Sequence, residues 1–545
     1  MRKHIVRTLL SISNSLSMKR ILLSYSLLLS FGVNAEYFSF STDKQIESFQ
    51  HNNGNSGEFY YPEIVGSGVG LIDFDNDGDL DVYLVQSGNF KNNKKSDQFF
   101  KNLLKESGKL SFKEITNDLK LNNSEYGIGI AVADVNNDGW NDIFLNNLQQ
   151  NKLLLNQQGL SFASFELSSN PNLWSTSSSF CDINNDGYKD LYISNYVNWS
   201  ESNNPKCYNA SSKRDYCGPS SFEGQKDTFY LNENGTLIEQ TNSFFPDMPN
   251  MPGLNVVCID INNDGFNDFV VANDGKPNTV WLNQKGQKFI ENGLFSGLAV
   301  NAEGRAEASM GMAVTDYDLD GDFDVFFTHL MNESNTLYKN SGKGFFQDVT
   351  NRSQLSTSSF AYTGWATNFI HVNDDIYPDL IVFNGAVAGS AESNDLETFE
   401  QPNQLYLNSA RSQFTTITDE TWLKNKAISR GAAFGDIDND GDVDIIVSNN
   451  NSHPQILLNN LNPQNWLGIQ LQNNSNIQIE LTGSKGKVLI RSSTDGSYAS
   501  ANDSRLVFSD AQLKSFDKIQ LSQSGKIIKE IPMKATNKYI LVKLP

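Results

Sequence analysis

The sequence predicts an all-β protein, a seven-bladed β-propeller followed by a small C-terminal β-domain. Two observations predict this fold. An Asp-rich loop motif recurs seven times, at a mean spacing of about 60 residues. Apolar segments rich in Val, Ile, Phe, Tyr and Leu flank each loop without helical periodicity. Several strands per repeat at this spacing are typical of propeller blades, which bury their faces only by stacking. An open β-solenoid, the alternative, favours shorter and more even repeats.

Each repeat has the same order of elements. A short strand of small or apolar residues leads into the loop D-x-[DN]-x-D-G-x-x-D, and a second strand follows it. Most repeats then carry another apolar segment that ends in Asn. The first loop positions are residues 73, 134, 182, 260, 316, 371 and 436. We therefore place the propeller in residues 36–460 and the C-terminal domain in residues 461–545.

Composition limits the function classes. The 545 residues include 42 basic and 63 acidic ones, for a net charge of -21. This charge argues against nucleic-acid binding through a general basic surface. A hydrophobic content of 38 % is enough for a sizeable core. With 4 Cys and 5 His, zinc chemistry based on these ligands has little to work with.

Residues 1–35 have the features of a cleaved export signal. Lys19 and Arg20 precede a short apolar run over residues 21–33, and Val33-Asn34-Ala35 places small or aliphatic residues before Glu36. The alternative is a membrane anchor, but the run is shorter than the roughly 20 residues that span a bilayer. We expect a mature chain without a transmembrane segment that is periplasmic, on the outer surface or secreted.

The Asp-rich loops are predicted calcium sites. In loop one, Asp73, Asp75 and Asp77 occupy alternate positions 1, 3 and 5, Asp79 offers its carbonyl at position 7, and Asp81 stands at position 9. Hard oxygen ligands at this spacing match the start of an EF-hand loop, although the Glu at position 12 is missing. The carboxylates repel one another strongly without a cation. The alternative is a metal-free Asp/Asn/Gly turn.

The same pattern predicts six calcium ions with a structural role. Loops five and seven repeat the five-acid set, whereas loops two, three and four have Asn at position 3, which predicts weaker binding. The predicted ligands, with the carbonyl donor at position 7, are Asp73, Asp75, Asp77, Asp79 and Asp81; Asp134, Asn136, Asp138, Trp140 and Asp142; Asp182, Asn184, Asp186, Tyr188 and Asp190; Asp260, Asn262, Asp264, Phe266 and Asp268; Asp316, Asp318, Asp320, Asp322 and Asp324; Asp436, Asp438, Asp440, Asp442 and Asp444.

The sixth loop is degenerate. It has His371, Asn373, Asp375 and Asp379, with Ile376 where the other loops have Gly. Because the first ligand and the turn residue are both lost, we predict that this loop binds no calcium.

The four cysteines fit an oxidising compartment. Cys207 and Cys217 lie in the long insertion of the third repeat, and we predict a disulfide between them. Cys181 and Cys258 lie in the lead-in strands of adjacent repeats, where a bridge and two buried thiols are equally compatible with the sequence. Their offsets from the loop differ by one residue, which would point them to opposite faces if the registers match.

The repeats resemble FG-GAP (VCBS) repeats, and the seventh contains Phe434-Gly435 ahead of its loop. Residues 303–312, 327–340, 216–219, 271–286 and 362–369 resemble the cartilage acidic protein family and its bacterial relatives. The segment NWLGIQL at 465–471, with Gly496-Ser497-Tyr498 and Arg505-Leu506, resembles the ASPIC/UnbV domain, although a glycine-rich stretch after its first strand is absent. The resemblance implies an exported, calcium-binding propeller protein involved in adhesion or matrix interaction.

No catalytic motif is visible: H-E-x-x-H, G-x-S-x-G and the P-loop are all absent from the sequence. His329 follows an apolar strand and is expected to be a satisfied core residue. Glu303, Arg305 and Glu307 precede the fifth repeat, where they form either an ion-pair network between blades or a partner site at the mouth of the channel.

We therefore expect a non-enzymatic binding or adhesion scaffold for a protein or glycan at the cell envelope or outside the cell. The alternatives are an envelope assembly or accessory protein and a carbohydrate-active enzyme.

Overall fold

Seven times along the chain, a lead-in strand, an Asp-rich turn and further strands form a four-stranded antiparallel sheet. This computed structural model describes residues 36–88, 95–121, 123–167, 172–387, 399–410, 412–472, 476–523 and 525–544. The predicted signal peptide, residues 1–35, lies outside the described residues. The all-β prediction is confirmed, and none of the helices within the described ranges has the length and hydropathy to cross a bilayer.

We number the seven sheets in the order of their Asp loops. Sheet one contains Val69–Ile72, Asp81–Leu84, Gln98–Asn102 and Phe112–Glu114. Sheet two contains Tyr126–Ala133, Asp142–Leu148, Lys152–Asn156 and Phe162–Glu166. Sheet three contains Ser175–Cys181, Asp190–Asn195, Thr228–Glu233 and Thr236–Glu239. Sheet four contains Gly253–Ile259, Asp268–Asn273, Thr279–Asn283 and Phe289–Glu291.

The remaining sheets follow the same plan. Sheet five contains Met312–Thr315, Asp324–Phe327, Thr336–Asn340 and Phe346–Asp348. Sheet six contains Gly364–Ile370, Asp379–Asn384, Gln404–Leu407 and Thr415–Ile417. Sheet seven contains Ser429–Gly435, Asp444–Asn449, Gln455–Asn459 and Phe38–Ser41.

The outer strand of sheet seven comes from the other end of the chain. Phe38–Ser41 pairs antiparallel with Gln455–Asn459, with Phe38 opposite Asn459. Phe38 is fully buried and packs edge to face on Trp422, with ring centroids 5.4 Å apart. This pairing joins the beginning and end of the repeat region, and the sequence analysis did not predict it.

The first strands of successive sheets contact each other, and the first strand of sheet seven contacts that of sheet one. Small residues make this approach possible. A Cβ on Gly68 would lie 1.7 Å from the Ala499 carbonyl oxygen, and one on Gly311 would lie 1.9 Å from that of Trp365. The lead-in strands are therefore rich in Gly, Ala and Ser because other backbone lies directly against them.

The Asn that ends each third strand links its sheet to the preceding one. The Asn283 side chain donates to the Ile183 carbonyl oxygen at 2.8 Å, and Asn102 of sheet one reaches Ile437 of sheet seven at 2.8 Å. The other links are Asn156 to Phe74, Asn232 to Val135, Asn340 to Ile261, Asn408 to Tyr317 and Asn459 to His371. This repeated link explains why the apolar segments end in Asn.

Residues beyond 461 form two further sheets. One contains Leu506–Phe508, Leu467–Gln472 and Tyr539–Lys543, and the other contains Gly486–Ile490, Gln478–Gly483, Phe516–Gln523 and Lys526–Pro532. A two-stranded sheet, Cys207–Tyr208 with Arg214–Asp215, lies in the insertion of the third repeat. The α-helices are Leu104–Ser107, Thr241–Phe244, Gly293–Ser296, Ser356–Ser359, Thr421–Lys424 and Asp510–Ser515, and the 3-10 helices are Ile46–Ser48, Tyr61–Ile64, Glu201–Asn203 and Pro219–Ser221.

One C-terminal segment, residues 495–503, lies among the first strands of all seven sheets. Ser497 exchanges backbone hydrogen bonds with Met312 at 2.9 and 2.7 Å, and Tyr498 is fully buried against Trp365. We call these residues the central segment. Its further contacts are Ala501 with Val69 and Leu71, Ala499 with Ile130, Asp495 with Ser179 and Cys258, Ser497 with Asn255 and Ala432, and Asn502 with Phe434.

Candidate metal centre

The six intact Asp loops share one backbone conformation. The first Asp accepts the N–H groups of positions 5 and 6, as in loop one, where Asp77 N and Gly78 N lie 3.0 and 3.1 Å from the two Asp73 oxygens. The same pair of bonds is formed by Asp134, Asp182, Asp260, Asp316 and Asp436. Gly78 has φ of 94°, in the left-handed region that favours glycine.

The Asp at position 9 holds each loop to its own sheet. Asp81 accepts one N–H from Phe74 and one from Asn102, at 3.1 and 2.8 Å. Asp142, Asp190, Asp268, Asp324, Asp379 and Asp444 make the equivalent two bonds. Because Asp379 of the degenerate sixth loop is included, this residue has a structural task that does not depend on calcium.

Loops one, five and seven bring three carboxylates together. Oxygens of Asp73, Asp75 and Asp81 lie within 4.8 Å of one another, as do those of Asp316, Asp318 and Asp320 and those of Asp436, Asp438 and Asp444. A second group in loop one joins Asp77 and Asp79 with Glu106. Oxygen ligands at this separation suit a calcium ion.

The position-3 carboxylates have an oxygen without a hydrogen-bond partner. Asp75 Oδ1, Asp318 Oδ1 and Asp438 Oδ1 are all buried and unpaired, and Asp442 Oδ1 of loop seven is a fourth such atom. A buried unpaired carboxylate oxygen is costly, and a cation would remove that cost. The described residues therefore fit a calcium ion in these three loops.

Loops two, three and four differ at this point. Their position-3 residue is Asn, and its amide donates to the position-5 carboxylate, as in Asn136 to Asp138 Oδ2 at 3.0 Å. The same bond joins Asn184 to Asp186 and Asn262 to Asp264. In loops two, three and four the position-3 amide is therefore a hydrogen-bond donor to the position-5 carboxylate. In loops one, five and seven the position-3 carboxylate cannot donate this bond and has an unpaired oxygen of its own.

Two lysines, Lys101 in loop one and Lys339 in loop five, contact the carboxylate clusters. The Lys101 ammonium bonds Asp75 and lies 3.2 Å from Asp77 and 3.0 Å from Glu106. Although burial lowers the pKa of Lys101, its hydrogen bonds to Asp75, Glu106 and Asp77 outweigh that effect and raise it. Lys101 was not among the site residues predicted from the sequence. The signal that could have found it is a lysine directly before the Asn of the third strand.

The C-terminal strands cover loop seven. Tyr539 donates from its hydroxyl to Asp436 Oδ2 at 2.9 Å, and the Arg505 guanidinium, 4.1 Å from the Tyr539 ring, donates to the Asp436 carbonyl oxygen at 2.9 Å. Burial raises the pKa of Asp436 to about 7, even though Arg505 and Tyr539 favour its charged form. Burial, and then repulsion from Asp440, raises the pKa of Asp438 to about 6.

The degenerate sixth loop is a docking point for the C-terminal residues. Ile376 is buried in the apolar core formed by the C-terminal strands. Asp374 accepts the Ala511 N–H at 2.9 Å, and His371 Nε2 lies 3.0 Å from Gln512 Nε2. His371 and Ile376, which depart from the loop pattern, both contact the C-terminal domain.

Buried acids outside the loops give the protein a pH dependence. Asp227 accepts hydrogen bonds from Asn195 N at 2.8 Å and the Tyr192 hydroxyl at 2.7 Å. Burial raises the pKa of Asp227 to about 7. Since the unfolded chain releases this proton near pH 4, the stability that the protonated carboxyl provides is complete below about pH 4 and is lost as the pH rises to about 7.

Asp227→Asn should therefore reduce the loss of unfolding free energy between pH 4 and pH 7 by about 4 kcal/mol, because the amide keeps an acceptor for Asn195 and does not ionise. Urea unfolding at several pH values in EDTA measures this. Exposed Asp247 gives the control variant Asp247→Asn, whose profile should match the unmodified protein. An Asp227→Asn profile as steep as the control would contradict the assignment.

Glu303, Arg305 and Glu307, the residues of the predicted partner site, are not joined in an ion-pair network within the described residues. Arg305 is exposed and makes no ion pair within 4.0 Å with any described residue. Glu307 Oε2 lies 3.6 Å from His329 Nε2 and lines a depression of about 380 Å³ together with Glu303. His329 is buried as expected, but neither of its ring nitrogens has a hydrogen-bond partner among the described residues. Burial raises the pKa of Glu307 to about 7 and lowers that of His329 to about 4.

Both cysteine pairs are disulfides. Cys207 is bonded to Cys217, with an S–S distance of 2.02 Å, and Cys181 is bonded to Cys258. The one-residue difference in offset does not keep Cys181 and Cys258 apart. Adjacent sheets pack face to face, so side chains on opposite faces of their own sheets point toward each other.

Fold and loops together define a propeller-like repeat protein with Asp-rich turns. A family model described as FG-GAP-like repeat matches residues 73–145, 134–193, 260–327 and 371–447. The chain therefore contains FG-GAP-like repeats, and each match begins at the first position of an Asp loop. No curated protein sequence matches the chain significantly.

Similar solved structures include BBS1N in complex with ARL6DN, with a TM-score of 0.41 and 9% identity over 78% of this chain and 97% of that one. An Agrocybe aegerita lectin that recognises non-reducing terminal N-acetylglucosamine has a TM-score of 0.35 and 15% identity over 70% of this chain and 85% of its own. Rhamnogalacturonan lyase YesW has a TM-score of 0.37 and 10% identity over 73% and 72%. At these TM-scores the functions of these proteins carry no argument about this one.

Proposed function

We propose that this protein is an exported, calcium-stabilised β-propeller that acts as a non-enzymatic binding scaffold. Two observations carry the proposal: Asp75, Asp318 and Asp438 at position 3 each have a buried, unpaired oxygen, and each of these residues offers a carboxylate oxygen within 4.8 Å of oxygens from two further Asp residues. Calcium would give these unpaired oxygens a positively charged partner. Asp73, Asp316 and Asp436 would complete the ligand sets at position 1.

The seven sheets are, in this proposal, the blades of one closed ring. Two observations support closure: the Asn102 link from sheet one to sheet seven and the pairing of Phe38–Ser41 with the last repeat. Calcium in the loops would stiffen the turn between the first two strands of a blade, where the C-terminal domain also packs. The metal's role would be structural, because every ligand set follows one turn.

The filled centre of the proposed ring supports a binding function more than a catalytic one. The central segment fills the space between the first strands, with Tyr498 and Ala501 fully buried. In the part of the chain that the structure describes, the central segment therefore occupies the place where a substrate-holding channel would lie. Binding would use the loops and the C-terminal domain, with a protein or glycan as partner. Two disulfides support an oxidising compartment outside the cytoplasm. The resemblance to cartilage acidic protein and ASPIC/UnbV sequences supports the same function.

Thermal unfolding of residues 36–545, stripped of metal and titrated with calcium or magnesium, tests the proposal. Calcium should raise the unfolding temperature selectively, because one native-state site at a hundredfold excess over Kd adds about 2.7 kcal/mol. Asp438→Asn in loop seven should reduce the response. Asp375→Asn in loop six is the matched control and should leave it unchanged. Equal unfolding temperatures in EDTA and in calcium would refute the calcium proposal.

A further inference from the structure

The residue before the Asn of the third strand differs among the seven sheets. The difference is related to the number of acidic residues in the Asp loop of the same sheet. The residue is Leu in five sheets and Lys in sheets one and five, as Lys101 and Lys339. Loops one and five are also two of the three loops with Asp at position 3. The third such loop, loop seven, has Leu458 at this place. The five leucines are Leu155, Leu231, Leu282, Leu407 and Leu458.

Both ammonium groups contact the carboxylates predicted to bind metal. Lys339 bonds Asp318 and lies 2.8 Å from Asp320, the position-3 and position-5 residues of loop five. Lys101 makes the equivalent contacts in loop one. In each case the lysine bonds Oδ2 of the position-3 Asp and leaves Oδ1 unpaired. The Asp318 side chain is only 9% exposed, so water does not readily satisfy that oxygen.

We propose that Lys101 and Lys339 are tethered cations that compete with calcium for loops one and five. The ammonium group neutralises the loop when metal is absent and is displaced when calcium binds. This inference rests on the proposed calcium binding. A calcium ion requires its ligand oxygens at 2.3–2.6 Å, and a second positive charge on the same carboxylate groups would repel it strongly. Loops one and five would therefore be weaker, exchangeable sites, and loop seven the strongest five-acid site.

The proposal changes the affinity order that a count of acids predicts. Counting carboxylates ranks loops one, five and seven together. With the lysines included, loop seven ranks first. It has Leu458 at the place of the lysine, and no lysine of the described residues forms an ion pair with its carboxylates. Arg505 contacts the Asp436 main chain and leaves its carboxylate to Tyr539.

The test compares the unmodified protein with Lys101→Met/Lys339→Met, using calcium calorimetry and unfolding in EDTA and in calcium. Two calcium sites should tighten by about tenfold or more in the double variant, since a competing charge at contact distance is removed. In EDTA the variant should unfold at a lower temperature than the unmodified protein, and calcium should remove or reverse this difference. A merely structural lysine would lower stability equally in both conditions. Lys226→Met is the matched control, since the Lys226 ammonium bonds the Asn242 amide.

The outcomes separate this inference from the proposed function. If calcium binds but the double variant and Lys226→Met both match the unmodified protein, competition by lysine is wrong. If no variant binds calcium, the calcium proposal itself fails, and this inference fails with it. Leu458→Lys supplies a reciprocal measurement should the double variant not fold. It should weaken one tight site by about tenfold, and an unchanged affinity would overturn the inference.

Discussion

Tyr498→Ala should destabilise the protein by about 3–5 kcal/mol, the cost of truncating a large buried aromatic side chain. Tyr498 is fully buried, its ring lies 4.7 Å from that of Trp365, and its hydroxyl donates to the Val65 carbonyl oxygen at 3.3 Å. The alanine variant would leave a cavity beside Trp365, within the central segment. Urea unfolding followed by tryptophan fluorescence measures the loss.

Two variants control this prediction. Tyr498→Phe keeps the ring and removes only a long hydrogen bond, so it should lose about 1 kcal/mol. Tyr208→Ala removes a tyrosine that is 61% exposed and should cost no more than about 1 kcal/mol. If Tyr498→Ala is as stable as Tyr208→Ala, the central segment does not hold the ring together, and the argument against an open channel loses its support.

Asp379→Ala should destabilise the protein by about 2–4 kcal/mol whether or not calcium is present. The Asp379 carboxyl is fully buried and accepts the N–H groups of Val372 and Asn408 at 3.2 and 2.8 Å. Its removal leaves two buried N–H groups without acceptors, at about 1–3 kcal/mol each, and the structure relaxes to recover part of this. Denaturant unfolding in EDTA and in calcium should show the same loss.

The comparison with other loop variants makes this prediction specific. Asp375→Ala, in the same loop, removes the acceptor of one N–H, that of Tyr377, and should cost less. Asp438→Asn in loop seven should show its largest effect only with calcium. If the loss in Asp379→Ala appeared only with calcium, loop six would be a metal site and our prediction for it would be wrong.

Much of the site was predictable because its residues are close in sequence. The nine-residue loops carry their ligands, their turn glycine and the position-9 Asp together, so one pattern identifies all of them. The pattern could not distinguish the Asp residues that would bind calcium from those that only hold the backbone in place. Asp379 shows this most clearly: it is present where the position-1 Asp and the turn glycine are lost, and it bonds the backbone of its own sheet.

The sequence by itself determined the all-β class, the number and positions of the Asp loops and the repeat that builds each sheet, since these follow from local patterns of charge and hydrophobicity. Only the tertiary structure decided which distant segments complete those sheets. Phe38–Ser41 pairs with a strand more than 400 residues away, Tyr498 fills the centre, and Ile376 enters the core of the C-terminal domain. Such contacts join segments that are far apart in the sequence, and no short pattern in the chain records which of them meet.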